Sequence, residues 1–119
     1  MCGFSGIISK NKLPNIDFLN KSKKFIQNRG PDAFEAIQYK KNKNNFYFNH
    51  ARLSIIDLKE SSNQPFEKDG YTLVFNGEIY NYKEIREKLI KKGADFLTNS
   101  DTEVILESYK AWGIECLQQ

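Results

Sequence analysis

An α+β fold with antiparallel sheets is what this sequence predicts, and three observations carry the prediction. The apolar stretches read, in order, as strand, helix, several strands, helix and helix. The strands come in runs rather than in strict alternation with helices, which favours antiparallel sheets. At 119 residues, 39% of them hydrophobic and 13% aromatic, the chain suits one domain with a single modest core.

Each element has a local reason. In GFSGIIS (3–9), Phe4, Ile7 and Ile8 are strand formers, while Gly3, Ser5 and Gly6 permit close backbone approach. Asn15 or Asp17 then caps a helix running to about Asn28, along which Ile16, Leu19, Phe25 and Ile26 recur at helical spacing. NRGPD (28–32) stops it, with Gly30 as the residue beyond the cap and Pro31 forbidding continuation. FEAIQY (34–39) and NFYFNH (45–50) alternate around a polar turn and read as a hairpin. ARLSIIDL (51–58) is predicted as a further strand, and YTLVF (71–75) as another. Ile85, Leu89 and Ile90 mark a helix ending near Gly93, and SDTE (100–103) opens a last helix whose apolar face carries Val104, Ile105, Tyr109 and Trp112.

Composition narrows the function classes. The net charge of +3 comes from 18 basic and 15 acidic residues, well mixed, which makes no case for nucleic acid or an anionic membrane as partner. Two cysteines, Cys2 and Cys116, form no disulfide framework and no C-x-x-C spacing, and His50 is the one histidine, so a protein metal site is poorly supplied. The short apolar N-terminal run has no basic segment before it, and Gly at position 3 misses the myristoylation pattern. A reduced, cytoplasmic protein is the expectation.

Four stretches carry residues suited to chemistry. Once Met1 is removed, Cys2 holds a thiol and an α-amine in one residue. The amine, with a reference pKa of about 7.7–8.0, is a base close to working pH, so nucleophile and base come together. FNGEIYNY (75–82) has two readings of equal weight. Asn76-Gly77 is either a hairpin turn, or a pair of donors, the Asn76 amide and the Gly77 N–H, converging on an oxyanion. Arg52 is either a strand-edge arginine facing water or a bidentate carboxylate clamp, and His50 reads as a structural histidine on the same face. Ser100 with Glu103 forms a capping box; Asp101 serves the helix dipole or faces a ligand ammonium. NRGPD is mainly a helix stop, with Arg29 and Asp32 as minor candidates.

Taken together and in order, MCGFSGI, RGPD, HARLSIIDL, NQPF, FNGEIYNY and SDTEVIL resemble the N-terminal glutaminase domain of class II, N-terminal-nucleophile, glutamine amidotransferases. They are most similar to glutamine-hydrolysing asparagine synthase, over essentially the whole chain. The resemblance implies an N-terminal-nucleophile hydrolase sandwich of helix–sheet–sheet–helix layers, incomplete at the C-terminus, so that residues 1–119 form a partial glutaminase domain. It implies Cys2 as nucleophile on L-glutamine, giving a γ-glutamyl thioester and ammonia, with the Asn76 side chain and Gly77 N–H as oxyanion hole. Arg52 clamps the α-carboxylate, the backbone of Leu53, Ser54, Ile55 and Ile56 lines the pocket, and Glu78 and Asp101 hold the α-ammonium. No cofactor is implied in this chain. ATP and Mg²⁺ belong to a synthetase domain that follows in the family and uses the ammonia on aspartate; a homodimer is possible. Two alternatives stand beside this: a non-catalytic module that needs a partner chain, and a glutaminase serving another acceptor.

Overall fold

The computed structural model describes residues 2–13 and 15–119; the expected removal of Met1 therefore lies outside the described residues. Among the described residues are five strands, β1 (Gly3–Ser9), β2 (Ala33–Lys41), β3 (Asn44–Arg52), β4 (Phe66–Lys68) and β5 (Tyr71–Leu73), and three α-helices, α1 (Ile16–Ile26), α2 (Tyr82–Lys91) and α3 (Asp101–Trp112). The architecture is α+β with antiparallel sheets, ordered β1-β3-β2 and β4-β5. No helix among the described residues is long and apolar enough to cross a membrane. The chain divides into two compact units, Met1–Ser54 with Asn63–Gly77, and Ile55–Ser62 with Glu78–Gln119.

In the first unit, β3 is the central strand, pairing Ala51 with Gly3 on one side and Arg52 with Ala33 on the other. Period-2 alternation holds along β1, where Gly3 is buried while Phe4 and Ile8 are exposed. The predicted β2–β3 hairpin is present, with Asn42 in the left-handed region (φ 57°) at its turn. Asn49, fully buried, joins three elements. Its Oδ1 accepts from the Ser5 N–H (3.0 Å) and hydroxyl (2.8 Å), and its amide donates to Ser22 Oγ on α1 (2.7 Å). A buried amide satisfied this way specifies the docking of α1 as well as its packing does.

Three elements differ from the sequence expectation. The further strand predicted over 51–58 does not form: Ala51 and Arg52 are the last residues of β3, the β1 and β2 partners run out there, and Asp57 takes a left-handed φ of 51°. A strand that was not expected, β4, begins at Phe66, the last residue of NQPF, and Asp69 (φ 51°) with Gly70 (φ 77°) turns it into β5. Gly30 is no left-handed cap: its φ is −147°, at the end of a 3₁₀ turn over Gln27–Arg29. Its requirement is space, since a Cβ there would lie 2.3 Å from the Ala51 carbonyl carbon and oxygen. Gly30→Ala should therefore cost at least the upper end of the roughly 1–3 kcal/mol that overpacking takes. A thermal melt within a degree of the parent would show that this approach is relaxed at no cost.

The second unit packs α2 against α3 through Ile85, Leu89 and Val104, with Ile79, Tyr82, Ala94, Phe96 and Trp112 around them. Gly93 ends α2 with φ 92°, and the Lys92, Gly93 and Ala94 N–H groups return to the last carbonyls of the helix. Ile90 and Tyr109, expected on apolar faces, are exposed, and Leu106 is buried instead. Ser100 caps α3 by accepting the Glu103 N–H at 3.3 Å. The reciprocal half of the capping box is replaced: the Ser100 N–H goes to Thr98 Oγ1, and the Glu103 carboxylate accepts the Leu97 and Thr98 N–H groups.

Candidate functional site

The first unit holds Cys2, Arg52, Leu53, Ser54, Asn76 and Gly77, and the second holds Ile55, Ile56, Glu78 and Asp101. Cys2 immediately precedes β1, so its position is set by the sheet rather than by a frayed terminus. Its Sγ accepts the Leu53 N–H at 3.3 Å and donates to the Leu53 carbonyl at 3.6 Å. Its own carbonyl accepts Arg29 Nε at 3.0 Å. A half-buried thiol is thus tied to the chain just beyond β3 and to the segment after α1.

RGPD does more than end a helix. Asp32 pairs twice with the segment leaving β3: its N–H donates to the Arg52 carbonyl (3.0 Å), and its Oδ2 accepts the Ser54 N–H (2.7 Å). Leu53 and Ser54, which no ladder serves, therefore have their N–H groups taken by Cys2 and Asp32. Gly30 lets this segment lie against β3 without a side chain between them. The sequence signal was an arginine and an aspartate flanking Gly-Pro, which ordinary helix-stop logic explains away.

Arg52 is 6% exposed on the central strand, so the water-facing edge reading is set aside. Its Nη1 donates to Asn63 Oδ1 at 2.7 Å, and the Asn63 amide donates to Glu35 Oε1 at 2.6 Å. Asn63 enters the sequence reading only within the NQPF motif, with no role of its own, because an asparagine in a polar loop carries no pattern.

FNGEIYNY is not a hairpin turn. β5 ends at Leu73, and the chain beyond Gly77 leads into α2 at Tyr82. Asn76 and Gly77 are exposed, each with donors available to a ligand. A Cβ at Gly77 would come within 2.7 Å of the Phe75 ring, which would then have to shift. Phe75 itself is held at both ends, its N–H by Gln64 Oε1 (2.5 Å) and its carbonyl by His50 Nε2 (3.1 Å). Because that carbonyl can only accept, Nε2 carries the proton, and Nδ1 is left buried without a partner among the described residues. Burial lowers the pKa of His50, with the hydrogen bond to Phe75 pulling it partly back, so the ring is held neutral.

In the second unit, Asp101 opens α3 and its Oδ2 accepts the Ile79 N–H at 3.2 Å, which brings it beside the backbone that follows Glu78. Glu78 is exposed, as is Ile55, while Ile56 is half-buried. Asp57 accepts the Asn99 N–H (2.7 Å) and the Lys59 N–H (3.2 Å), joining segment 55–62 to the approach to α3. Burial raises its pKa, but these N–H groups outweigh that and leave it below the usual carboxylate range. Among the described residues no group of three or more His, Cys, Asp or Glu side chains gathers as a metal site.

The chain as a whole has counterparts among known proteins. Residues 1–119 match the family model of the glutamine amidotransferase domain. The chain is 40% identical over 116 residues to an asparagine synthetase [glutamine-hydrolyzing] 1 of Bacillus subtilis (strain 168), covering 92% of this chain and 18% of that protein. It is 34% identical over 135 residues to a putative asparagine synthetase [glutamine-hydrolyzing] 2 of Methanocaldococcus jannaschii, covering 100% of this chain and 26% of that one. An amidase, chry2, of Gibberella zeae is 35% identical over 127 residues, covering 96% of this chain and 18% of its own length. The chain thus spans between 18% and 26% of the length of these relatives.

Proposed function

The chain belongs to the glutamine amidotransferase domain family, and from that premise we propose that it hydrolyses glutamine to glutamate and ammonia through a thioester on Cys2. The observation that carries the reading is the Cys2 thiol, tied to the Leu53 backbone at the foot of the Arg52 strand. The α-amine of Cys2, free once Met1 is gone, takes the thiol proton. The sulfur attacks the side-chain amide carbon of glutamine, and the oxygen becomes an oxyanion received by the Asn76 amide and the Gly77 N–H. Collapse breaks the C–N bond, the ammonium returns its proton to the leaving nitrogen, and ammonia departs. Water, deprotonated by the same amine, then attacks the thioester and releases glutamate and the thiol. Arg52 receives the substrate α-carboxylate, the backbone from Leu53 to Ile56 lines the pocket, and Glu78 with Asp101 receives the α-ammonium.

The ammonia then serves a synthetase portion, in cis, that makes asparagine from aspartate. ATP and Mg²⁺ belong to that portion, and no step at Cys2 runs through them. The same reading carries the helix–sheet–sheet–helix layering, the cytoplasmic setting and a homodimer. A second acceptor class is favoured by one observation: a relative of similar identity is named an amidase rather than a synthetase.

A glutamine analogue carrying an electrophile tests the chemistry. It should modify Cys2, which has both an adjacent amine and an N–H on its sulfur, and leave Cys116 untouched in the 3₁₀ stretch Gly113–Gln118. Peptide mass mapping reads the result. Equal modification of the two cysteines would count against Cys2 as the nucleophile.

A further inference from the structure

Phe75 lies just beyond β5, outside any ladder, yet its backbone is held at both its N–H and its carbonyl. Gln64, 6% exposed, accepts its N–H at 2.5 Å, and His50, 1% exposed, donates to its carbonyl at 3.1 Å. The carbonyl belongs to the peptide that enters Asn76, so its direction sets where Asn76 begins. The Phe75 ring folds back over Gly77, so close that a Cβ would meet it at 2.7 Å. One residue thereby controls the two that follow it.

His50 is a costly way to fill a core position. Its Nδ1 is buried with no hydrogen-bond partner among the described residues, a situation that native interiors largely avoid. An apolar side chain would carry no such orphan. What an apolar side chain lacks is the Nε2–H that fixes the Phe75 carbonyl. We propose that His50 and Gln64 are positioning residues for glutamine hydrolysis: they hold Phe75 at its carbonyl and its N–H, and so aim the Asn76 amide and the Gly77 N–H. The proposal rests on the role given above to Asn76 and Gly77 and adds what orients them. Donors must be placed before charge develops, because reorganisation during the reaction forfeits their advantage.

The test uses the full-length amidotransferase. His50→Leu and Gln64→Leu should each lower kcat for glutamine hydrolysis by roughly 10- to 100-fold, as expected when donors are displaced by up to about 1 Å. KM for glutamine should stay within about twofold, since the oxyanion exists only after attack. His50→Gln, whose amide N–H reaches the same carbonyl, should recover most of the loss. In an Asn76→Ala background His50→Leu should cost much less than it does alone, because the clamp works through that donor. If His50→Leu melts below the parent, Gln64→Leu decides by the same readings. Unchanged kcat, a His50→Gln variant as slow as His50→Leu, or fully additive losses with Asn76→Ala would each overturn the clamp. A parent that turns over no glutamine and leaves Cys2 unlabelled would overturn the proposed reaction and the clamp with it. Parental turnover with an indifferent His50→Leu removes the clamp alone.

Discussion

Cys2→Ala in the full-length protein is expected to abolish glutamine-dependent synthesis and to leave synthesis from supplied ammonia largely intact. Deleting a covalent nucleophile costs on the order of a millionfold in kcat where it has been measured, because the amine and the oxyanion donors have nothing left to activate. The change removes one sulfur from a half-buried position before β1 and leaves the β1–β3 ladder from Gly3 onward untouched. Arg29 still has the residue-2 carbonyl as acceptor. The variant should therefore fold, and ammonia-dependent turnover is itself the control for folding. Both reactions are measured side by side, with glutamine and with ammonium as nitrogen donor. Retained glutamine-dependent synthesis would remove Cys2 from the chemistry. Loss of both activities in a folded variant would remove the separation of ammonia production from its use.

Asn76→Ala should slow glutamine hydrolysis by roughly 100- to 1000-fold, the range for one lost oxyanion donor. The loss should appear in kcat, because the donor acts on charge that develops after the substrate is bound. Stability should change little, since Asn76 is exposed and stands in no turn of a hairpin. That pairing of a large kinetic effect with a small thermal one separates a donor from a structural residue. A variant with normal kcat per folded molecule and a lowered melting temperature would assign Asn76 to the backbone instead.

Much of the fold was legible because it rests on local rules. The β2–β3 hairpin follows from alternation around a polar turn, and α3 from its Ser100 cap. The end of α2 follows from the freedom of Gly93 at positive φ. Cys2 could be expected at a fixed strand end because the apolar run begins at once behind it. Misreadings occurred where local pattern and partner disagreed. Leu53 to Leu58 reads as strand by composition, but a strand needs neighbours, and the ladders of β3 stop at residues 51 and 52. Gly30 reads as a cap after a helix, but it answers to the Ala51 backbone across the sheet. By residue type Arg52 suits either water or a ligand, and it is the sheet order that makes its strand central.

By itself the sequence determined the class of the fold, its main elements and the family, since those depend on residue types and their order along the chain. Only the tertiary structure decided which side chains hold the segments that carry Cys2 and Asn76. Asp32 on Ser54, Arg29 on Cys2, and His50 with Gln64 on Phe75 are pairings between residues 11 to 27 positions apart. No periodicity encodes them. A backbone group outside a ladder must find its partner wherever the fold brings one, and that choice is made by three-dimensional proximity alone.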